Sequence, residues 1–215
     1  VILMGPDHRR AGNRTAFTGD RSWSTPYGVV PVDESAVRAL AGSGHLVSVD
    51  PELLAGEHGV AGLVPAVAYL MPGASIAALA VRSDARRDEI EALASLLGSQ
   101  LDECSVMLVS ADFAHGLAPS EARDNDQQSL RALAHMDAEA ILGFGDEHLD
   151  APAAVAVAMA VAERIGARRF SLLRRGDGSE LPGYAGGPVT SYVTGYYARP
   201  VAGSTPAGPA ALAAY

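Results

Sequence analysis

Three runs of this chain are apolar at nearly every position and too short to be helices: residues 1–4, 75–81 and 106–109. A strand with one solvated face alternates polar with apolar residues. A strand covered on both faces reads as an unbroken apolar run. Between these runs lie helical patterns. The clearest spans residues 84–101, with Ile90, Leu93, Leu97 and Leu101 on one face and Asp84 in position to cap it. Short buried strands alternating with helices specify an α/β fold with a largely parallel central sheet flanked by helices. In such sheets, ligands bind beyond the carboxyl ends of the strands.

The remaining elements follow from caps and breakers. Asp33 caps a helix through Val37 and Leu40, which Gly42 and Gly44 stop. Residues 46–49 are a strand candidate, and residues 61–70 are helical up to Pro72. Residues 120–135 and 138–142 are helical, and Asp150 with Pro152 starts a helix to about Ile165. Residues 170–173 and 189–198 are strands, with a glycine-rich loop at 176–187. Residues 7–31 are expected as a loop containing the turn Thr25-Pro26-Tyr27-Gly28. This organisation gives one domain over residues 1–198 and a disordered Ala/Pro/Gly-rich tail over 199–215. The opening Val1-Ile2-Leu3-Met4 enters directly into a strand, so an N-terminal segment is expected to be missing.

Charge narrows the partners. The net charge is -9, and all 16 basic residues are arginines. Binding nucleic acid takes clustered positive charge, so no nucleic-acid partner is expected. No apolar stretch reaches the length of a membrane span. One cysteine, Cys104, excludes an internal disulfide and a cysteine-rich zinc site. A cytoplasmic location and a small-molecule ligand are expected, and the sequence identifies no protein partner.

Two predicted strand ends carry histidines. Gly5-Pro6-Asp7-His8 follows the first strand, and its sharp turn fixes where His8 points; alone, it also reads as a turn with a surface histidine. Asp112-Phe113-Ala114-His115 follows the 106–109 strand. Its carboxylate can orient the imidazole, share a metal with it, or merely cap a local turn. Glu57-His58 opens a helix-like stretch, where a histidine can ligate a metal or bind an anion, and where a helix-start acid beside a surface histidine is the plainer alternative. His45, His135 and His148 read as structural or surface residues, and Cys104 lies at the amino end of its strand. No nucleophile elbow, P-loop or dinucleotide fingerprint is present.

Taken in order, GPDH, TPYG, EH before an apolar stretch with proline, SADFAH and SYVTGYYA resemble the Memo-like family, whose bacterial and archaeal members are called AmmeMemoRadiSam system protein B. The resemblance runs from about Val1 to Ala198. It implies a fold similar to class III extradiol dioxygenases and redox chemistry at a transition metal, iron, copper or zinc. On that pattern His8 is a metal ligand, Asp112 ligates or orients, and His115 and His58 act as acid/base or substrate contacts. The sequence also departs from the pattern. The family's Cys-Gly pair aligns with Ala151-Pro152, its Pro-His-Ala-Gly turn lies upstream of this chain, and its EHS-x-E reads Glu57-His58-Gly59-Val60-Ala61 here. Two readings therefore stand. One is a metal-dependent, dioxygenase-like protein; the other is a degenerate binding module that has lost its metal site. A metal hydrolase is a weaker third.

Overall fold

The computed structural model describes residues 1–199. The expected tail lies, from residue 200 onward, outside the described residues. The chain divides into two compact units, Val1–Ala111 with Ala153–Ala158, and Asp112–Pro152 with the residues from Met159 onward.

The first unit is built on strands β1 (Ile2–Pro6), β2 (Ala16–Thr18), β5 (Val47–Val49), β6 (Ala77–Val81) and β7 (Met107–Val109), in the order β5-β2-β6-β1-β7. A hairpin of β3 (Trp23–Thr25) and β4 (Gly28–Val30) lies between β2 and β5 in the chain. β1 pairs in parallel with both β6 and β7, β2 pairs in parallel with β5, and only β2–β6 is antiparallel. The sheet is thus mostly parallel, as the apolar runs require. All five residues of β1 are buried, and so are all five of β6. Helices α1 (Glu34–Ala41), α2 (Pro51–Ala55), α3 (His58–Ala61), α4 (Val64–Leu70) and α5 (Arg87–Gly98) flank it. Leu3, Phe17, Leu54, Val60, Val64 and Ile76 pack into one core cluster. Each fully buried large side chain contributes about 2–3 kcal/mol.

Several local expectations are corrected. The 7–31 stretch contains β2, which is only three residues long but fully buried. The expected 61–70 helix begins later, as α4 at Val64, and the short α3 before it ends at Ala61. Asp84 does not cap α5; it pairs with Arg82, while the Glu89 carboxylate accepts the Arg86 backbone N–H at 2.8 Å at the helix start. By contrast, Asp33 caps α1 as expected, accepting from the Ala36 N–H at 3.0 Å.

The second unit carries β8 (His115–Leu117), α6 (Pro119–His135), α7 (Ala138–Leu142), the end of α8 (Pro152–Arg164), β9 (Arg169–Asp177) and β10 (Val189–Ala198). The three strands form an antiparallel sheet in the order β8-β10-β9. β9 is longer than its apolar run, because Arg174 to Asp177 continue pairing with β10 into what reads as a glycine-rich loop. Behind this sheet sits a buried ionic network. Arg175 donates to Asp126 at 2.7 Å and to Asp177 at 2.6 Å, and the Ser191 hydroxyl donates to Asp126 at 2.6 Å. The three charged side chains are at most 8% exposed. Burial alone would raise the Asp177 carboxyl, but hydrogen bonds from Ser179 and Arg175 outweigh it and hold its pKa below the ordinary value.

Breaking a buried ion pair from one side leaves uncompensated charge, at a cost of about 3–5 kcal/mol. Arg175→Met should therefore lower the urea-unfolding free energy by about that amount. Because the folded Asp177 pKa is depressed, its contribution is present above the ordinary carboxyl pKa of about 3.9 and is lost as pH falls further. Asp177→Asn should accordingly flatten the acid limb of a stability–pH profile measured below about pH 4.

Candidate functional site

His8 stands just past the carboxyl end of β1, on the strand that β6 and β7 bracket. The turn that delivers it is held from below. Asp7 is only 2% exposed, and its carboxylate accepts the backbone N–H groups of Ala11 at 3.0 Å and Gly12 at 2.9 Å. The chain therefore curls back at once after His8.

Glu57 meets His8 from the loop between α2 and α3. Its Oε2 accepts the His8 backbone N–H at 3.1 Å, and its Oε1 lies 2.5 Å from His8 Nδ1. An ionised carboxylate only accepts, so His8 Nδ1 carries the proton. Although Glu57 stands at the start of α3, its side chain makes no capping bond; the carboxylate is committed to His8. His58 completes the group. Its ring stacks on that of His8 with centroids 4.1 Å apart, and its Nδ1 lies 3.5 Å from Glu57 Oε1. One donor atom from each of His8, Glu57 and His58 lies within 4.8 Å of the others. The Glu57 side chain is 3% exposed, whereas His58 is 77% exposed, so the group has a buried root and an open face.

Two glycines permit this approach. A Cβ on Gly5 would stand 3.1 Å from Val60 Cγ2 and 3.3 Å from the Gly59 carbonyl carbon. A Cβ on Gly59 would stand 3.2 Å from His8 Cε1 and 3.3 Å from Pro6 Cδ. Both gaps are tighter than side chains ordinarily tolerate, so α3 lies against the end of β1 largely because neither position carries a side chain. The glycine that replaces serine in the EHS-x-E pattern is thus sterically matched to where His8 sits.

Asp112 and His115 belong to the second unit. Asp112 is exposed, and its backbone is held in both directions by Asp150: the Asp112 N–H donates to Asp150 Oδ1 at 2.9 Å, and the Asp150 N–H donates to the Asp112 carbonyl at 3.1 Å. Asp150 therefore fastens Asp112 instead of capping α8, whose N-cap is Ala151. His115 does not sit in a turn but opens β8, paired with Thr190 of β10. Its Nδ1 lies 3.0 Å from the Phe113 carbonyl, which can only accept, so Nδ1 is the donor. Ala114 between them is fixed by Ser191, whose N–H donates to the Ala114 carbonyl at 2.8 Å.

The other histidines stay out of this group. His135 bonds back to the Arg131 carbonyl at 2.8 Å near the end of α6, and the His148 ring stacks on Phe144 at 4.2 Å. Cys104 is exposed ahead of β7. Sequence reasoning found His8 and His58 but missed the role of Glu57. The signal was the Glu-His dipeptide itself, which reads equally well as an ordinary helix start.

A mostly parallel α/β sheet with a His/Glu/His group at a strand's carboxyl end defines an α/β protein with a candidate metal centre. The profile of the Memo-like protein family matches residues 1–195, and the chain belongs to that family. Among curated relatives, a MEMO1 family protein of Caldivirga maquilingensis is 23% identical over 197 residues, covering 85% of this chain and 67% of the relative. Those of Methanopyrus kandleri and Ignicoccus hospitalis are 24% and 26% identical, each covering 86% of this chain and 70% of the relative.

Glu57→Gln should unfix the His8 ring, because an amide can donate as well as accept. Nitrogen-15 NMR of the imidazole should show a single Nδ1–H form in the parent and a mixture in the variant. An unchanged spectrum would mean that Glu57 does not set the tautomer.

Proposed function

We propose that this chain is a metal-dependent member of the Memo-like family, with His8, Glu57 and His58 as the protein donors for one transition-metal ion. The observation that carries this reading is the convergence of two imidazoles and a buried carboxylate within 4.8 Å at the end of β1. Ligand atoms in a tetrahedral zinc shell sit about 2.0–2.2 Å from the ion, hence roughly 3.3–3.6 Å from one another. The donor atoms all lie within 4.8 Å of one another, and two imidazoles with a carboxylate are donors that such an ion takes, so the residues fit the group.

The donor set has imidazole and carboxylate but no thiolate, which suits Fe(II) or Zn(II) better than Cu(I). When bound, such an ion supplies a Lewis-acid or redox centre. The protein residues do the rest. Glu57 fixes the His8 ring, and the exposed His58 ring leaves one side open to a small molecule. On the family pattern Asp112 would ligate or orient and His115 would act as an acid/base, but both stand in the second unit and the proposal does not rest on them. A dioxygenase-like reaction is the corresponding activity.

A second reading keeps the fold without the metal or catalysis. It is favoured by Ala151, which is 1% exposed and stands where the family pattern has its cysteine. Turnover on adding metal would count against it.

Metal analysis and calorimetric titration of the purified protein with Zn(II) and Fe(II) test the first reading. One equivalent should bind, and His8→Ala or Glu57→Gln should weaken binding by about 10–100-fold. No stoichiometric metal in the parent, together with no effect of His8→Ala, would overturn it.

A further inference from the structure

The loop that follows His8 carries three arginines in six residues: Arg9, Arg10 and Arg14. All three are exposed. In a chain of net charge -9, several arginines find acids: Arg21 with Glu52, Arg38 with Glu34, Arg82 with Asp84, Arg86 with Asp88, Arg168 with Glu163 and Arg175 with Asp126. Among the described residues, the side chains of Arg9, Arg10 and Arg14 have no such partner and no hydrogen bond. Three uncompensated guanidiniums on one short loop of an acidic protein form a local positive field.

This loop is also built, where a merely solvated run of charge would need no construction. Arg10 has φ of 50°, one of two non-glycine residues with positive φ among those described. That conformation is costly for a side chain with a Cβ and persists only where neighbours enforce it. The enforcing group is Asp7, whose buried carboxylate spends both oxygens on Ala11 and Gly12, while the Asp7 carbonyl accepts the Arg10 N–H at 3.2 Å. Gly12 is boxed in as well, since a Cβ there would come within 2.8 Å of Phe17 Cδ1. Arg9 folds back toward the His8 group. Its Nη1 lies 3.4 Å from where a Cβ on Gly56 would stand, and Gly56 directly precedes Glu57.

We infer that residues 7–14 form an anion-recognition loop, with Arg9 and Arg10 as its principal contacts and Arg14 adding charge. The loop selects ligands with a carboxylate or phosphate group for the His8 site. The guanidinium fork matches both oxyanions in a two-pronged geometry, which a lysine ammonium does not. The identity of the site as a place for chemistry rests on the metal-centre reading above, but anion binding by the loop does not need the metal.

The test uses metal-free protein, so that a failed metal titration leaves it intact. Inorganic phosphate and succinate are titrated separately, followed by amide NMR and calorimetry. At least one anion should saturate at one site, shifting the amides of residues 9–12. Tighter phosphate binding would identify a phosphorylated ligand, and tighter succinate binding a carboxylic acid. The Arg9→Gln/Arg10→Gly double variant should weaken binding by at least about tenfold. Glycine at position 10 accepts the positive φ and so preserves the loop. Arg131→Gln, in the exposed face of α6, should leave binding within about twofold. Saturation of neither anion, amide shifts confined to other segments, or a double variant that binds like the parent would overturn the inference. Because the amide-shift map is read on the parent protein, it decides the question even if the double variant does not fold.

Discussion

The Glu57 carboxylate is the contact on which the site depends. It is buried, and a buried ionised carboxylate is tolerable only when hydrogen bonds replace its lost water. His8 supplies two of them, from its backbone and from its ring. The arrangement works in both directions, because the same bonds that make the carboxylate's burial tolerable also fix the imidazole's rotation and tautomer. Ring stacking then brings His58 onto the same patch. His8 stands at the end of β1, which two parallel neighbours and complete burial make one of the stiffest places available for a precise side chain.

The second unit uses the same logic on a different scaffold. The Asp112–His115 segment is not anchored by its own side chains. Asp150 grips the backbone of Asp112, Ser191 holds Ala114, and Asp126 ties Ser191 to Arg175. A chain of charge-assisted bonds thus runs from β9 to the motif. Such a network adds little net stability over an apolar core, but it specifies one arrangement, since each member is costly to leave unpaired.

Much of this was legible in the sequence, for a physical reason. The strands β1 and β6 are buried on both faces, so their apolar runs announce them, and the parallel sheet and the placement of His8 past β1 follow; β7 has the same kind of run but is a half-buried edge strand. The family, too, is carried by short motifs in order. What was hidden depends on tertiary context. β2 is three residues in a polar stretch and is a strand only because β5 and β6 flank it. Asp84 and Asp150 look like caps, because a short acid ahead of a helical pattern usually is one, yet Arg82 and Asp112 compete for them. Glu57 looked like a helix-start acid because nothing local says that its side chain turns inward to a histidine 49 residues away. The arginines after His8 were counted only as bulk charge, since their lack of partners is a property of the folded surface.

The most direct measure of the central claim is the X-ray absorption spectrum of the zinc-loaded protein. The account predicts a first shell of nitrogen and oxygen alone, at about 2.0–2.2 Å, with the multiple scattering of imidazole. A sulfur neighbour at about 2.3 Å, or a shell of water oxygens without imidazole, would contradict it.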